Sequence, residues 1–310
     1  MDFSEGIVHT INFGYQRGPV LYASFPCGPP AAITGMGRVT NGEEAKHRLV
    51  STLWDHLRLL QNSCKLTPPP LTGGGWGVGE AATYGCRGKL PPLPNPPLQA
   101  PEGPQGGRRL LGFLRESHLA MLERPVWNGC PPTAGTDSPI RVQREKLGRP
   151  RLLVGAYQGP AISFSEGGGR IWAALCADGA DIGIDAADSD EFQGAYPVQR
   201  VFHREELEHA LGLTGGDREG ASALLWSIKE AVVKALGCGF HLVDPRQITV
   251  YPSEGGVVAG DDGHDFPVGL SGKARMRFPV ASGRPIRVHS LPGRKMWLSI
   301  AIRESETGSP

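Results

Sequence analysis

The segment from Glu219 to Leu236 constrains the fold more than any other part of the chain. Apart from Ser227, Lys229, Glu230 and Lys234, its core from Leu224 to Leu236 is apolar, and Gly237 and Gly239 follow it as suitable helix terminators. At 100° per residue, Ser227, Glu230 and Lys234 fall within an arc of about 60°, while Lys229 projects at the edge of another face. A surface helix shows a broad polar half. A charged stripe this narrow instead predicts a helix packed on several sides and open along one cleft. Helix geometry alone leaves a second reading open, in which Glu230 and Lys234 form a solvated i,i+4 pair worth about 0.2–0.5 kcal/mol.

Other elements supply partners for that helix. Glu43–Gln61 repeats Leu49, Val50, Leu53, Trp54, Leu57 and Leu60 at helical spacing, with Glu43 and Glu44 in its first turn. Leu110–Leu122 reads as a shorter helix ended by Pro125, Gly194–Arg200 as a helical candidate, and Phe202–Leu207 as a helix start. Arg151–Val154, Arg170–Leu175, Asp181–Asp185, Gln247–Tyr251, Ile286–Ser290 and Lys295–Ile302 read as strands. Glycines 167–169 suit a turn, as does Pro292-Gly293.

Residues 65–108 stand apart. They hold ten Pro and ten Gly, a composition too costly in entropy and too poor in apolar side chains to build a core, so a flexible insertion is expected. Its glycines neither follow a strand nor lead to Gly-Lys-Ser/Thr, which argues against a phosphate loop. The net charge is +1 with basic residues scattered, so no nucleic-acid partner is expected. No apolar run reaches the ~18 residues of a spanning helix, and the opening residues do not read as a secretory signal. The six cysteines form no Cys-x-x-Cys pair. Reduced thiols, a cytoplasmic location, no membrane and a monomer are the expectations.

A second feature is Ile182-Gly183-Ile184-Asp185, which ends an apolar strand with an acid. Such an acid can enter a cleft and hold a hard divalent cation, although alone it is more often a turn or cap residue. Set together, Ile-Gly-Ile-Asp and, some forty residues on, Trp226-Ser227-x-Lys229-Glu230-Ala231-x-x-Lys234 resemble the paired signature of the 4′-phosphopantetheinyl transferases. Arg200–Leu207 is similar to a segment of the larger, surfactin-synthetase-type branch. Gly148-Arg149-Pro150, Ala161–Ser165 and Glu44–Arg48 are similar to further family motifs, over roughly 43–61 and 139–303 in all.

The resemblance implies an α+β, pseudo-twofold fold: two similar halves, each a long helix on a small antiparallel sheet, at 1–178 and 179–304, with a disordered tail at 305–310. It implies Mg²⁺-dependent transfer of 4′-phosphopantetheine from coenzyme A to a serine of an acyl-, polyketide- or peptidyl-carrier protein, releasing 3′,5′-ADP. Asp185 and Glu230 would bind the metal, and Glu230 and Lys234 would be catalytic. Lys229, Ser163, Arg149 and Arg48 would seat the coenzyme. Two positions depart from the family pattern: Phe164 replaces a histidine, and Ala187 replaces a carboxylate. They support the alternative of a catalytically impaired relative that binds carrier protein or coenzyme A.

Overall fold

The computed structural model describes residues 7–11, 20–26, 42–65, 139–145, 147–155, 157–176, 180–194, 196–253, 263–279 and 285–304. The Pro/Gly-rich stretch (apart from Lys65), the helix expected at Leu110–Leu122 and the tail at 305–310 lie outside them.

The first described elements are β1 (His9–Ile11), β2 (Val20–Pro26) and α1 (Gly42–Lys65). Strands β3 (Ile140–Arg144), β4 (Pro150–Val154), β5 (Tyr157–Gln158), β6 (Ala161–Gly167) and β7 (Arg170–Cys176) follow. Next come β8 (Asp181–Asp188), a 3₁₀ turn at Ser189–Phe192, and the helices α2 (Val198–Val201), α3 (Arg204–Leu213) and α4 (Arg218–Ala235). A 3₁₀ turn at Pro245–Gln247, β9 (Ile248–Val250), β10 (His264–Leu270), α5 (Gly272–Arg277), β11 (Ile286–Pro292) and β12 (Met296–Arg303) complete the order.

All strand pairs are antiparallel. One sheet runs β1-β2-β7-β6, a second β8-β12-β11-β10-β9, and a small third β3-β4-β5. Period-2 alternation gives each main sheet two apolar faces. Leu21, Ala23, Ile171, Ala173 and Leu175 pack with Leu49, Leu53 and Leu57 of α1. Val20, Tyr22, Trp172 and Ala174 turn the other way and meet Ile182, Ile184, Leu298 and Ile300 of the second sheet. On that sheet's far face, Ala301, Val288 and Phe266 pack with Leu224, Ile228, Ala231 and Val232 of α4. The layers therefore run helix, sheet, sheet, helix, which is the expected α+β arrangement of two helix-on-sheet units. Asp217 caps α4 by accepting the Gly220 N–H at 3.1 Å, and Gly237, at φ +70°, ends it.

Three expectations shift. The helix expected at Gly194–Arg200 shrinks to the single turn α2. Strand β10 has no counterpart in the sequence reading, because Pro267 and Gly269 within it read as breakers. The segment from Asp181 stays extended through Asp188, whose carboxylate accepts the Gly168 N–H at 2.9 Å.

Candidate active site

The site grows out of β8. Its inward residues fill the layer between the sheets, while Gly183, Asp185 and Ala187 face α4. Glycine at 183 is what lets the helix come close. A Cβ there would lie 1.9 Å from the Ala231 carbonyl oxygen and 2.6 Å from the Ala235 nitrogen. Two residues on, Asp185 Oδ1 accepts from Lys234 Nζ at 2.6 Å, and the same ammonium donates to the Ile184 carbonyl at 3.1 Å. One helical turn earlier, Glu230 Oε1 lies 3.6 Å from that nitrogen. The two acids, from a strand and a helix, therefore share one cation.

Strand β6 closes the site from the other sheet. Ser165 donates to Asp185 Oδ1 at 2.8 Å, and its Oγ accepts the Ala186 N–H at 3.1 Å. Ser163 Oγ accepts the Ile184 N–H, also at 3.1 Å. The two serines, spaced i,i+2 on one face, thus tie β6 to the edge of β8.

Above the acids opens a cleft of about 470 Å³, lined among others by Lys46, Arg144, Arg149, Phe164, Trp226 and Glu191. Lys46 Nζ lies 2.9 Å from Glu166, and Arg149 pairs with Asp181, whose other oxygen is 3.5 Å from Arg303. Burial pushes the Glu230 carboxyl above its ordinary range, and the charge of Asp185 pushes it further. Lys234 and a hydrogen bond with Trp226 oppose that shift. The half-buried Cys238 thiol, also lining the cleft, is pushed up to about 11 by desolvation.

The structure brings Asp185, Glu230, Lys234, Ser163 and Arg149 to this cleft, but not Lys229 or Arg48. Lys229 is fully buried on the opposite side of α4. It lies 2.9 Å from Glu206 and donates to the carbonyls of Pro245 and Ile248 at 2.9 and 2.6 Å. No phosphate can reach it there. Arg48 is exposed and pairs with Glu44 at 2.7 Å, while Lys46 faces the cleft in its stead. Ser227 lies beneath the site, 2.7 Å from Ser299. Ser165 and Lys46 stood within quoted motifs but had no assigned role, and Glu191 had no sequence signal.

Among the described residues, no group of three or more His, Cys, Asp or Glu is arranged to hold a metal ion. Two carboxylates do converge. A hard cation such as Mg²⁺ takes oxygen ligands and needs only one or two from the protein when substrate phosphates share the site. The donor set of Asp185 and Glu230 fits that demand.

Comparison with known proteins reaches the same elements. The family model of the 4′-phosphopantetheinyl transferase superfamily matches residues 181–272, from the start of β8 through α4 to α5. The chain is also similar to the crystal structure of a holo-ACP-synthase from Plasmodium yoelii. That likeness has 15% identity and a TM-score of 0.31, covering 41% of this chain and 95% of the other. No curated protein matches the chain. Within the matched superfamily segment, β8 supplies Asp185 and α4 supplies Glu230 and Lys234, while Ser163, Ser165 and Arg149 come from outside it. No helix among the described residues is long and apolar enough to cross a membrane.

Proposed function

We propose that this protein transfers the 4′-phosphopantetheine group of coenzyme A to a serine of an acyl-, polyketide- or peptidyl-carrier protein, with Mg²⁺ as cofactor and 3′,5′-ADP as leaving group. The observation that carries the reading is the convergence of Asp185 and Glu230 on one ammonium in a cleft whose wall also carries Lys46, Arg144 and Arg149. Asp185 and Glu230 would hold Mg²⁺, which supplies charge neutralisation for the pyrophosphate of coenzyme A. Lys234 would release the carboxylates to the ion and turn to phosphate oxygens, offsetting charge that grows on the leaving group. Lys46 and Arg149, at the cleft wall, would seat the nucleotide.

In the transfer, the carrier serine Oγ attacks the phosphorus of the phosphopantetheinyl phosphate. The bond from that phosphorus to the bridging oxygen breaks, and the electron pair leaves with 3′,5′-ADP. The serine proton passes to the Glu230 carboxylate, which lines the cleft beside Asp185 as a positioned acceptor. The remainder is alignment, as in other phosphoryl transfers.

The test is to incubate the protein with Mg²⁺, coenzyme A and a panel of apo-carriers, and to weigh the carriers. Mass gain that disappears in Asp185→Asn and in Glu230→Gln is expected. Full activity in either variant would sink the assignment. The second reading, a binding module, draws on Phe164 and Ala187, which line the cleft and whose side chains carry no polar atom. It predicts coenzyme A binding with no mass gain on any carrier.

A further inference from the structure

Ala187 lies on the face of β8 that turns toward α4, two residues beyond Asp185, and its methyl offers no oxygen to an ion. The chain supplies another acid nearby. Glu191 sits on the 3₁₀ turn that begins where β8 ends, and it lines the same cleft as Asp185, Glu230 and Lys234. The turn is anchored rather than loose. Phe192 is buried and meets the rings of Tyr196 and Trp226 at 4.8 and 6.4 Å, and the Ser189 N–H donates to the Lys295 carbonyl at 2.9 Å.

The other acids of the cleft are neutralised. Asp185 and Glu230 share Lys234, and Glu166 pairs with Lys46. Glu191 alone among the described cleft acids forms no ion pair. It lines the same cleft as Glu230.

We infer that Glu191 is a positioning residue for the divalent cation, accepting a hydrogen bond from water held on an ion between Asp185 and Glu230. Acting through water suits the geometry, because Glu191 does not form a three-acid group with the other two. Mg²⁺ retains several waters in such sites, and partners of bound ligands commonly set affinity by 10–100-fold.

The inference rests on the proposed metal-dependent function, and titration calorimetry separates the two. Mg²⁺ is titrated into the protein saturated with coenzyme A, for wild type, Glu191→Gln and Asp190→Asn. Asp190 is an exposed acid on the same turn, 3.9 Å from Lys295, and controls for general loss of charge. Weakening of about 10-fold in Glu191→Gln, with Asp190→Asn near wild type, is expected. Unchanged affinity in Glu191→Gln, or equal weakening in both variants, overturns the role of Glu191. No Mg²⁺ binding by wild type overturns the metal reading itself.

Discussion

At the scale of single residues, the helix carries two charged neighbours with opposite fates. Glu230 opens on the cleft with a raised pKa, while Lys229 is sealed against Glu206. Because Glu230 binds its proton more tightly folded than unfolded, stability falls as pH rises from the ordinary glutamate pKa through the raised one, and the penalty persists above it. Glu230→Gln removes that penalty. Its melting temperature should exceed that of the metal-free wild type at pH 8 and match it near pH 4; a variant less stable at pH 8 would contradict the electrostatic account. Lys229 behaves in the reverse way. Glu206 also accepts N–H groups from Val250 at 2.7 Å and His203 at 2.9 Å, so the pair ties α3, α4 and β9 together. Lys229→Met strands a buried carboxylate and should cost about 3–5 kcal/mol in urea unfolding. Loss of coenzyme affinity at unchanged stability would return Lys229 to the cleft. Helical spacing did separate Lys229 from Glu230, but the partner that buries it lies 23 positions away and could not be read from the helix. Lys46 and Arg48 are a similar case. Two positions apart, they point about 200° from each other, so only one can face the site.

At the scale of elements, the contact of β8 with α4 carries the geometry. Apolar patterning made both elements legible, and the family resemblance paired Asp185 with Glu230. The intervening closeness is a glycine effect that spacing alone does not reveal. Any side chain at 183 must push the helix backbone away. Gly183→Ala should destabilise the protein by about 3 kcal/mol, at the upper end of overpacking costs. It should also separate Glu230 from Asp185, so the proposed Mg²⁺ binding falls even where the protein remains folded. A Gly183→Ala protein with wild-type stability and metal affinity would show that the close approach is not required. What stayed illegible at this scale was β10, whose Pro267 and Gly269 mask a strand held between β9 and β11. Tertiary pairing overrides local propensity there.

At the scale of the molecule, the candidate cleft takes residues from both sheets. Ser163 and Ser165 come from the first, and Asp185 from the second, with Lys234 on the helix that backs it. The two sheets bury a common apolar layer, which includes Trp172 on one side and Ile184, Leu298 and Ile300 on the other. A helix-on-sheet unit separated from its partner would expose that face, a loss of about 25 cal/mol for each Å² uncovered. Neither unit is therefore expected to persist once the other unfolds. The serine bridges would also be lost at that moment, releasing Asp185 from its hydrogen bond. Ile184→Ala tests this coupling without touching a polar group of the site. Truncating a fully buried isoleucine costs about 2–5 kcal/mol, which for a protein of this size lowers the melting temperature by roughly 10 °C. Calorimetry should show one transition moving as a whole. Two transitions, with only one displaced, would mean that the halves fold independently and that the shared layer does not hold the site together.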